Sequence, residues 1–257
     1  MLAINLEGRH GLVTGGARGI GAGIVRALAE SGAHVAFTFL PTEQDTQAAQ
    51  ALVEALGRPG RHIVALQALA QDLQAMTEAA SLAAERMGGL DILVPNVGLT
   101  WPAPLETLDL ESWQRALDLN LTASFIAVKV ALPFMLQARQ GTIILIGSSV
   151  VVDGGGGGVH YPAAKAGLEG LMRGMIRELP RRGIRVNTVH PCVVDTDLLR
   201  QRYDTEEKRA QLAAQVPVGR LATPADIGHL VAFLCSDLGS FICGQSILVD
   251  GGRTIWR

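Results

Sequence analysis

The chain has few cysteines, lysines and aromatic residues. Its 257 residues include three cysteines without a CxxC spacing, three lysines and 4% aromatic residues. An odd and widely spaced set of cysteines does not fit a disulfide framework or a structural zinc site. We therefore expect no bound metal and reduced thiols, as in a cytoplasmic protein.

Long apolar runs and an excess of basic charge are absent as well. No run reaches the ~18 apolar residues of a membrane-spanning helix, no apolar leader precedes residue 10, and the net charge is −2. These features predict neither a membrane nor a nucleic-acid partner. Hydrophobic residues make up 48% and charged residues 18% of the chain, which predicts a folded protein with a sizeable core.

Short apolar runs alternate with longer stretches of helical periodicity. The predicted strands are residues 11–14, 33–39, 62–66, 90–94, 142–146, 184–189 and 247–249. The predicted helices are residues 19–31, 42–56, 72–87, 105–138 and 161–179, with Gly32, Gly57 and Gly88 as expected caps. Continuous apolar strands are typical of a parallel sheet covered on both faces. We predict one α/β domain with a doubly wound sheet, whose ligands bind at the carboxyl ends of the strands.

The first predicted strand leads into the sequence TGGARGIG at residues 14–21, called the phosphate loop below. Gly15, Gly19 and Gly21 would allow a tight turn and let a pyrophosphate approach the backbone at a helix N-terminus. The GxxxGxG spacing is one residue longer in its first gap than the commoner dinucleotide-binding pattern. Its position between the first strand and the first helix favours a nucleotide site over a structural turn.

The residues after the second strand favour NADP(H) over NAD(H). Sites for NAD usually carry an acidic residue there, which binds the ribose 2′-hydroxyl. Here the strand ends at Thr38 and Phe39, with no carboxylate before Glu43. Arg18 in the phosphate loop could bind a 2′-phosphate instead, the alternative being that it is a solvated cation.

Tyr161 and Lys165 pair two of the scarcest residue types of the chain. They are four residues apart and share one face of a predicted helix. With two tyrosines and three lysines in 257 residues, chance would give such a pair about 0.02 times. A nearby ammonium favours the phenolate, so the pair suits proton exchange with an alcohol or carbonyl oxygen while a nicotinamide transfers hydride.

Ser148 and Asn120 are weaker candidates when each is taken alone. Ser148 follows the predicted strand at residues 142–146 and could hold a substrate oxygen beside Tyr161, although Ser149 competes for that role. Asn120 lies within a long predicted helix, where an asparagine is commonly tolerated without a function.

In combination, the phosphate loop, Asn120, Ser148 and the Tyr161–Lys165 pair follow one another at the spacing of the short-chain dehydrogenases/reductases. The chain resembles that family over essentially its whole length, including residues 93–98, 185–196 and 244–252. The resemblance implies a seven-stranded, Rossmann-like sheet with helices on both faces. It also implies a homotetramer or homodimer formed through the long helices.

The resemblance further implies roles for single residues. Tyr161 would be the acid–base group and Ser148 would orient the substrate oxygen. Lys165 would bind the nicotinamide ribose and lower the pKa of Tyr161, and the Asn120 backbone would hold a water in a proton relay. The residues expected to bind the cofactor are Gly15, Ala17, Arg18, Gly19, Ile20, Gly21, Thr38, Leu69, Asn96, Gly98, Tyr161, Lys165, Val194 and Thr196.

Three positions depart from the family pattern. Pro95 replaces an asparagine and lacks a backbone donor. Leu69 stands where the family has an aspartate that binds adenine, so this acceptor is missing unless Asp72 replaces it. Cys192 replaces a glycine and would place a thiol near the nicotinamide and the substrate. The segments expected to border the substrate are the five-glycine run at residues 154–158, Trp101, and a lid at residues 195–216 that contains Tyr203.

The resemblance favours an NADP-dependent oxidoreductase that interconverts a ketone and a secondary alcohol, similar to 3-oxoacyl-thioester reductases. Residues 1–100 would mainly bind the dinucleotide, and residues 101–257 would carry the catalytic groups. An NAD-dependent polyol or sugar dehydrogenase is the alternative among enzymes, and a catalytically silent NADP-binding scaffold is the alternative outside them. An enoyl-thioester reductase fits less well, because such enzymes usually have a longer tyrosine–lysine spacing.

Overall fold

The computed structural model describes residues 3–255. The strands are β1 His10–Val13, β2 His34–Phe39, β3 Ile63–Gln67, β4 Ile92–Val94, β5 Gly141–Ile146, β6 Ile184–Pro191 and β7 Ser246–Val249. The α-helices are α1 Gly19–Glu30, α2 Glu43–Leu56, α3 Leu73–Met87, α4 Leu110–Leu117, α5 Ala123–Ala138, α6 Val150–Asp153, α7 His160–Met175, α8 Asp197–Arg202, α9 Glu206–Ala213 and α10 Pro224–Cys235. A π-helical turn, Asp118–Thr122, joins α4 to α5.

The seven strands form one parallel sheet in the order β3-β2-β1-β4-β5-β6-β7. This arrangement confirms the predicted doubly wound, Rossmann-like fold. The chain order reverses between β1 and β4, and ligands of such sheets bind in the crevice outside the carboxyl ends of the strands at this point. The phosphate loop follows β1, and Asn96 and Gly98 follow β4, so both segments lie at the crevice.

Helices cover both faces of the sheet because its strands are apolar on both sides. All six residues of β5 are buried. One core joins α1, α2 and α10 to the sheet, and the other joins α3, α5 and α7 to the opposite face. Leu12 and Val13 are neighbours in β1 and belong to opposite cores, as the alternation of side chains along a strand requires.

The backbones of α1 and α10 cross in direct contact. A Cβ at Gly23 would lie 2.5 Å from the carbonyl oxygen of Pro224, and one at Gly228 would lie 2.4 Å from that of Gly23. α10 begins with a capping box, in which the Thr223 hydroxyl accepts from the Asp226 N–H and the Asp226 carboxylate accepts from the Thr223 N–H. This contact fixes the helix whose N-terminus ends the phosphate loop.

The predicted helix at residues 105–138 is shorter than expected and contains a π-helical turn. Asp109 caps α4 by accepting from the Ser112 N–H at 2.7 Å, so the helix begins at Leu110. The stretch Leu110–Ala138 is long and apolar enough to cross a membrane by length and composition alone, but half of its most apolar part is buried in the protein, and core helices of soluble proteins pass the same test. Gly88 ends α3 in the left-handed region as predicted, with φ 86°, whereas Gly57 after α2 is extended, with φ −61°.

Candidate active site

The phosphate loop turns tightly between β1 and α1. Gly15 and Gly19 have φ of 65° and 55°, and a Cβ at Gly21 would lie 2.1 Å from the Gly15 carbonyl oxygen. Asn96, after β4, holds the loop through its Nδ2, which donates to the carbonyl oxygens of Thr14 and Gly15 at 3.1 and 3.2 Å. The first turn of α1 is Gly-Ile-Gly-Ala, so the backbone N–H groups at this helix end can face an anion.

A cavity of about 560 Å³ runs along this edge of the sheet. Most residues that were predicted to bind the cofactor line it: Gly15, Ala17, Arg18, Gly19, Ile20, Gly21, Thr38, Leu69, Asn96, Gly98 and Thr196. Val194, by contrast, is buried in the core beside α1 and α10. Its predicted contact with the cofactor could therefore involve only its backbone.

Arg18 has a carboxylate partner that the sequence analysis did not identify. Its Nε donates to Asp45 Oδ1 at 2.5 Å. Asp45 lies in the first turn of α2, is buried and lines the cavity together with Arg18. Arg18 is thus neither a solvated cation nor a guanidinium reserved for a phosphate. A 2′-phosphate would meet Arg18 already paired with this aspartate.

The part of the cavity where adenine is expected is lined by apolar side chains and by Gln44 and Gln71. Leu69 lines it with 48% of its surface exposed, and Phe39 and Leu40 lie beside it. Asp72 instead caps α3, since its Oδ1 accepts from the N–H groups of residues 74 and 75 at 2.8 and 3.1 Å. Asp72 therefore does not replace the missing adenine-binding aspartate.

The two other departures from the family pattern leave the cavity intact. Pro95 lacks a donor, but its carbonyl accepts from the Ile146 N–H at 3.0 Å, which keeps β4 joined to β5. Cys192 lines a separate cavity of about 180 Å³ with Val216 and Asp250. The expectation that this thiol lies near the nicotinamide stays a prediction.

Ser148, Tyr161 and Lys165 come together beyond the Gly98 end of the cavity. Ser148 follows β5, and its hydroxyl lies close enough to the Tyr161 phenol on α7 to lower the pKa of that phenol. Lys165 lies one turn further along α7 and is 2% exposed, with Nζ 5.9 Å from the Tyr161 ring centroid. A Cβ at Gly98 would lie 2.8 Å from both Lys165 Nζ and Asn120 Oδ1. The glycine thus connects the cavity to the catalytic cluster.

Burial dominates the pKa values of Tyr161 and Lys165. It raises the pKa of Tyr161, against the opposite effect of the Ser148 hydrogen bond. It lowers the pKa of Lys165 to about 8. The Lys165 Nζ lies over the Tyr161 ring and donates to the Ile146 carbonyl at 3.0 Å. Burial has the larger effect on the pKa of Tyr161, and the expectation that Lys165 lowers this pKa stays a prediction. At neutral pH the phenol is protonated and is a proton donor.

Asn120 is fully buried in the π-helical turn, and its side chain holds the loop after β4. Its Oδ1 accepts from the Leu99 N–H at 3.0 Å, while Nδ2 donates to the carbonyl oxygens of Leu99 and Ala116 at 2.9 and 3.0 Å. Sequence reasoning assigned a role to the backbone of this residue and missed that of the amide. Its sequence signal was weak, because Asp118 and Thr122 are polar neighbours in the same segment.

The five glycines at residues 154–158, called the glycine strap, cover Tyr161. A Cβ at Gly156 would lie 2.6 Å from Tyr161 Cδ1. The strap is tied to the loop after β4, because Thr100 Oγ1 donates to the Gly156 carbonyl and the Ala103 N–H donates to the Gly157 carbonyl at 2.8 Å. The predicted border of the substrate site is thus a closed contact over the phenol.

Of the remaining residues predicted to border the substrate, some line the large cavity and others make contacts elsewhere. Trp101 stacks on His160 with ring centroids 4.9 Å apart. Thr196 caps α8 by accepting from the Leu199 N–H at 3.3 Å, and it lines the large cavity together with Leu198. Tyr203 ends α8 and is held through its carbonyl by Arg209. The start of the predicted lid therefore borders the cavity, whereas Tyr203 lies at the C-terminal end of α8.

Comparisons with known proteins agree with this site. A family model described as Enoyl-(Acyl carrier protein) reductase matches residues 15–254. The 3-oxoacyl-[acyl-carrier-protein] reductase FabG of Vibrio cholerae is 39% identical over 249 residues, which cover 97% of this chain and 98% of that protein. A short-chain dehydrogenase/reductase from Serratia marcescens matches with a TM-score of 0.87 at 36% identity, over 97% of this chain and 99% of that one.

A blue fluorescent protein from a metagenomic library, solved in complex with NADPH, matches with a TM-score of 0.86 at 38% identity, again over 97% and 99% of the two chains. The parallel sheet, the glycine-lined phosphate loop and the Ser148–Tyr161–Lys165 cluster occur here together with these full-length similarities. The chain accordingly belongs to the short-chain dehydrogenase/reductase family of oxidoreductases.

Proposed function

We propose that the protein is an NADPH-dependent reductase that converts a 3-oxoacyl thioester, or a ketone of related type, to a secondary alcohol. The observation that carries this proposal is the protonated Tyr161 phenol beside Ser148 and the buried Lys165, at the end of the nucleotide cavity. The thioester class is supported by the relative from Vibrio cholerae, which is named for that activity.

The residues of the cavity fit NADP(H). The phosphate loop and the α1 N-terminus would hold the pyrophosphate, and Leu69 and Phe39 would contact the adenine. Arg18 would bind the 2′-phosphate in a charge-assisted pair, with the phosphate taking the place of Asp45 or binding beside it. The solved relative in complex with NADPH supports this preference.

Asp45 is the one observation that favours the alternative, an NAD-dependent dehydrogenase of polyols or sugars. Its carboxylate lines the cavity near the end of β2, where NAD sites use an acidic residue for the ribose hydroxyls. The ion pair with Arg18 occupies one oxygen of this carboxylate. We therefore keep NADP(H) as the preferred cofactor.

Bound NADPH would supply the hydride. Tyr161 would donate its phenolic proton to the carbonyl oxygen of the substrate as general acid. The Ser148 hydroxyl would donate a hydrogen bond to the same oxygen and orient it. The Lys165 ammonium would bind the nicotinamide ribose, and its charge favours the phenolate that remains on Tyr161. Gly98 and Asn120 would keep Lys165 at this position.

The test is NADPH oxidation with acetoacetyl-CoA as probe, beside a simple ketone with NADPH and a panel of polyols with NAD⁺. We expect reduction of acetoacetyl-CoA with NADPH and its loss in Tyr161→Phe. Turnover of polyols with NAD⁺ alone would support the alternative dehydrogenase. A folded sample that binds NADPH but turns over none of these probes would support the scaffold.

We also propose a cytoplasmic homotetramer or homodimer, in which residues 195–216 act as a substrate lid. The three cysteines are free thiols, and Phe125 on the long helix α5 is 48% exposed, which suits an interface through that helix. Sedimentation equilibrium tests the assembly, and a monomer at micromolar concentration would contradict it.

A further inference from the structure

His190 is a buried histidine that touches the backbone of the catalytic serine. It lies in β6, is 1% exposed, and its Nδ1 is 3.0 Å from both the nitrogen and the carbonyl oxygen of Ser148. A Cβ at Gly147 would lie 2.3 Å from this Nδ1. The ring can therefore occupy this position only because residue 147 has no side chain.

The other ring nitrogen of His190 joins two further elements. Nε2 lies 2.8 Å from Glu169 Oε1 on α7 and 2.9 Å from Ser246 Oγ at the start of β7. The Ser246 hydroxyl also donates to the Glu169 carboxylate at 2.9 Å. Because an ionised carboxylate only accepts, Nε2 is the nitrogen that carries the hydrogen in the neutral ring. Nδ1 is then an acceptor, and its donor is the Ser148 N–H.

Glu169 lies on the same helix as Tyr161 and Lys165. Tyr161, Lys165 and Glu169 follow one another at intervals of four residues, so they share one side of α7. Hydrogen bonds form a circuit that joins the Ser148 N–H to His190 and His190 through Glu169 to α7. The same helix carries the Tyr161 phenol, which the Ser148 hydroxyl approaches. The circuit fixes the distance between the turn after β5 and the helix that carries the phenol.

We propose that His190 and Glu169 are positioning residues for the reaction. They hold the Ser148 backbone against α7, and this alignment places the Ser148 hydroxyl and the Tyr161 phenol on the same substrate oxygen. The inference rests on the proposed reductase function. It assigns the two residues no contact with substrate or cofactor.

Two substitutions of His190 test the hydrogen bond of Nδ1 and that of Nε2 separately. In His190→Asn, the amide oxygen is as many bonds from the backbone as Nδ1 and can accept from the Ser148 N–H. In His190→Gln, the amide N–H can reach Glu169, but the acceptor for Ser148 is lost. With NADPH and acetoacetyl-CoA, we expect kcat to fall about 10- to 100-fold in His190→Gln and at most about 5-fold in His190→Asn. The dissociation constant for NADPH should be unchanged in both.

A second pair of variants tests the carboxylate end. Glu169→Gln keeps an oxygen that accepts from Nε2–H and should retain most of the wild-type kcat. Glu169→Leu removes this acceptor and should lower kcat as His190→Gln does. His229→Gln, on the exposed side of α10, is the matched control and should leave kcat and NADPH affinity at wild-type values. If the His190 variants do not fold, the Glu169 pair carries the test.

¹⁵N NMR of histidine-labelled wild-type protein measures the tautomer without any turnover. We expect His190 to be protonated at Nε2 in the wild type and to lose this preference in Glu169→Leu. Full kcat in His190→Gln, a parallel loss of NADPH affinity, or an Nδ1–H tautomer in the wild type would overturn the inference. If the wild type reduces none of the carbonyl probes, the proposed function fails, while the tautomer still decides whether the circuit exists.

Discussion

Tyr161 is a half-buried phenol whose raised pKa keeps it protonated at neutral pH. Tyr161→Phe removes the proton donor and leaves the ring in place against the glycine strap. We expect kcat for ketone reduction to fall by about 10²- to 10⁴-fold, the usual contribution of a general acid. NADPH affinity, measured by tryptophan fluorescence, should stay at the wild-type value. Activity close to wild type would show that another group transfers the proton.

Lys165 links the reaction to pH. Burial lowers its pKa to about 8, so the ammonium is present below that pH and is lost above it. Since this charge stabilises the phenolate on Tyr161, kcat/KM for reduction should be level below about pH 7 and fall as the pH rises through about 8. A pH profile of kcat/KM checks this expectation. A level profile up to pH 10 would mean that the charge of Lys165 does not matter.

We expect the Arg18–Asp45 pair to influence the cofactor preference. Asp45→Asn removes a buried negative charge beside the expected 2′-phosphate and frees Arg18, so NADPH should bind several-fold more tightly, while NADH changes little. The double variant Arg18→Ala/Asp45→Asn avoids an unpaired carboxylate. It should bind NADPH about 10- to 100-fold more weakly than Asp45→Asn alone, the usual range for a charged hydrogen bond. Equal effects on NADPH and NADH would refute this role of Arg18.

The sequence predicts a pair of site residues when both lie close together on one element, and misses pairs that only tertiary packing brings together. Tyr161 and Lys165 lie four apart on one helix, a spacing that can be recognised in the sequence. Arg18 and Asp45 are 27 residues apart and meet only because α2 packs next to α1. His190 and Glu169 are 21 residues apart on a strand and a helix. Such pairs depend on the tertiary packing of elements, which local patterns do not determine.

At the scale of elements, the glycine strap offers a matched pair of substitutions. Gly154 and Gly156 both have positive φ, 70° and 98°, but a Cβ at Gly156 would lie 2.6 Å from Tyr161 whereas Gly154 faces open space. Both alanine variants require a positive φ, which alanine adopts at a higher cost at 98° than at 70°. We expect Gly156→Ala to displace the phenol and lower kcat by about 10-fold or more, with Gly154→Ala near wild type. Equal kcat values for the two variants would contradict a contact between strap and phenol.

The strands were predicted more completely than the helices. All seven strands were found, because a strand buried on both faces gives a continuous apolar run. α10 was not predicted, although Thr223, Pro224 and Asp226 carry the signals of a helix start. The π-helical turn was missed because a single turn of this kind inside an α-helix has no sequence signal of its own. Its effect is seen in the inward position of Asn120.

At the scale of the whole molecule, acid stability should depend on a row of histidines at the amino ends of β1, β2 and β3. The rings of His10, His34 and His62 stack with centroids 5.4 and 5.0 Å apart. Burial lowers the pKa of His34, and the neighbouring histidines add to this effect. The unfolded chain then binds a proton more readily, so the free energy of unfolding should decrease as the pH falls below about 6.5.

Urea unfolding at pH 7 and pH 5 measures this dependence. His34→Asn keeps an acceptor for the His62 N–H, which donates to His34 Nδ1 at 3.0 Å, but it does not titrate. Its midpoint should fall less between the two pH values than that of the wild type. His229→Asn, on the surface of α10, should follow the wild type. The same loss of stability in all three proteins would assign the acid sensitivity to other groups.

The crossing of α1 and α10 also has a consequence for synthesis on the ribosome. Gly23 and Gly228 touch through their backbones, yet they are 205 residues apart in the chain. At a synthesis rate of about 5–20 residues per second, α10 is made roughly 10–40 s after α1. During that interval the apolar side of α1 lacks the helix against which it packs. The phosphate loop thus emerges well before the helix that packs against α1. A nascent chain that stalls before α10 would present this exposed helix to chaperones and proteases.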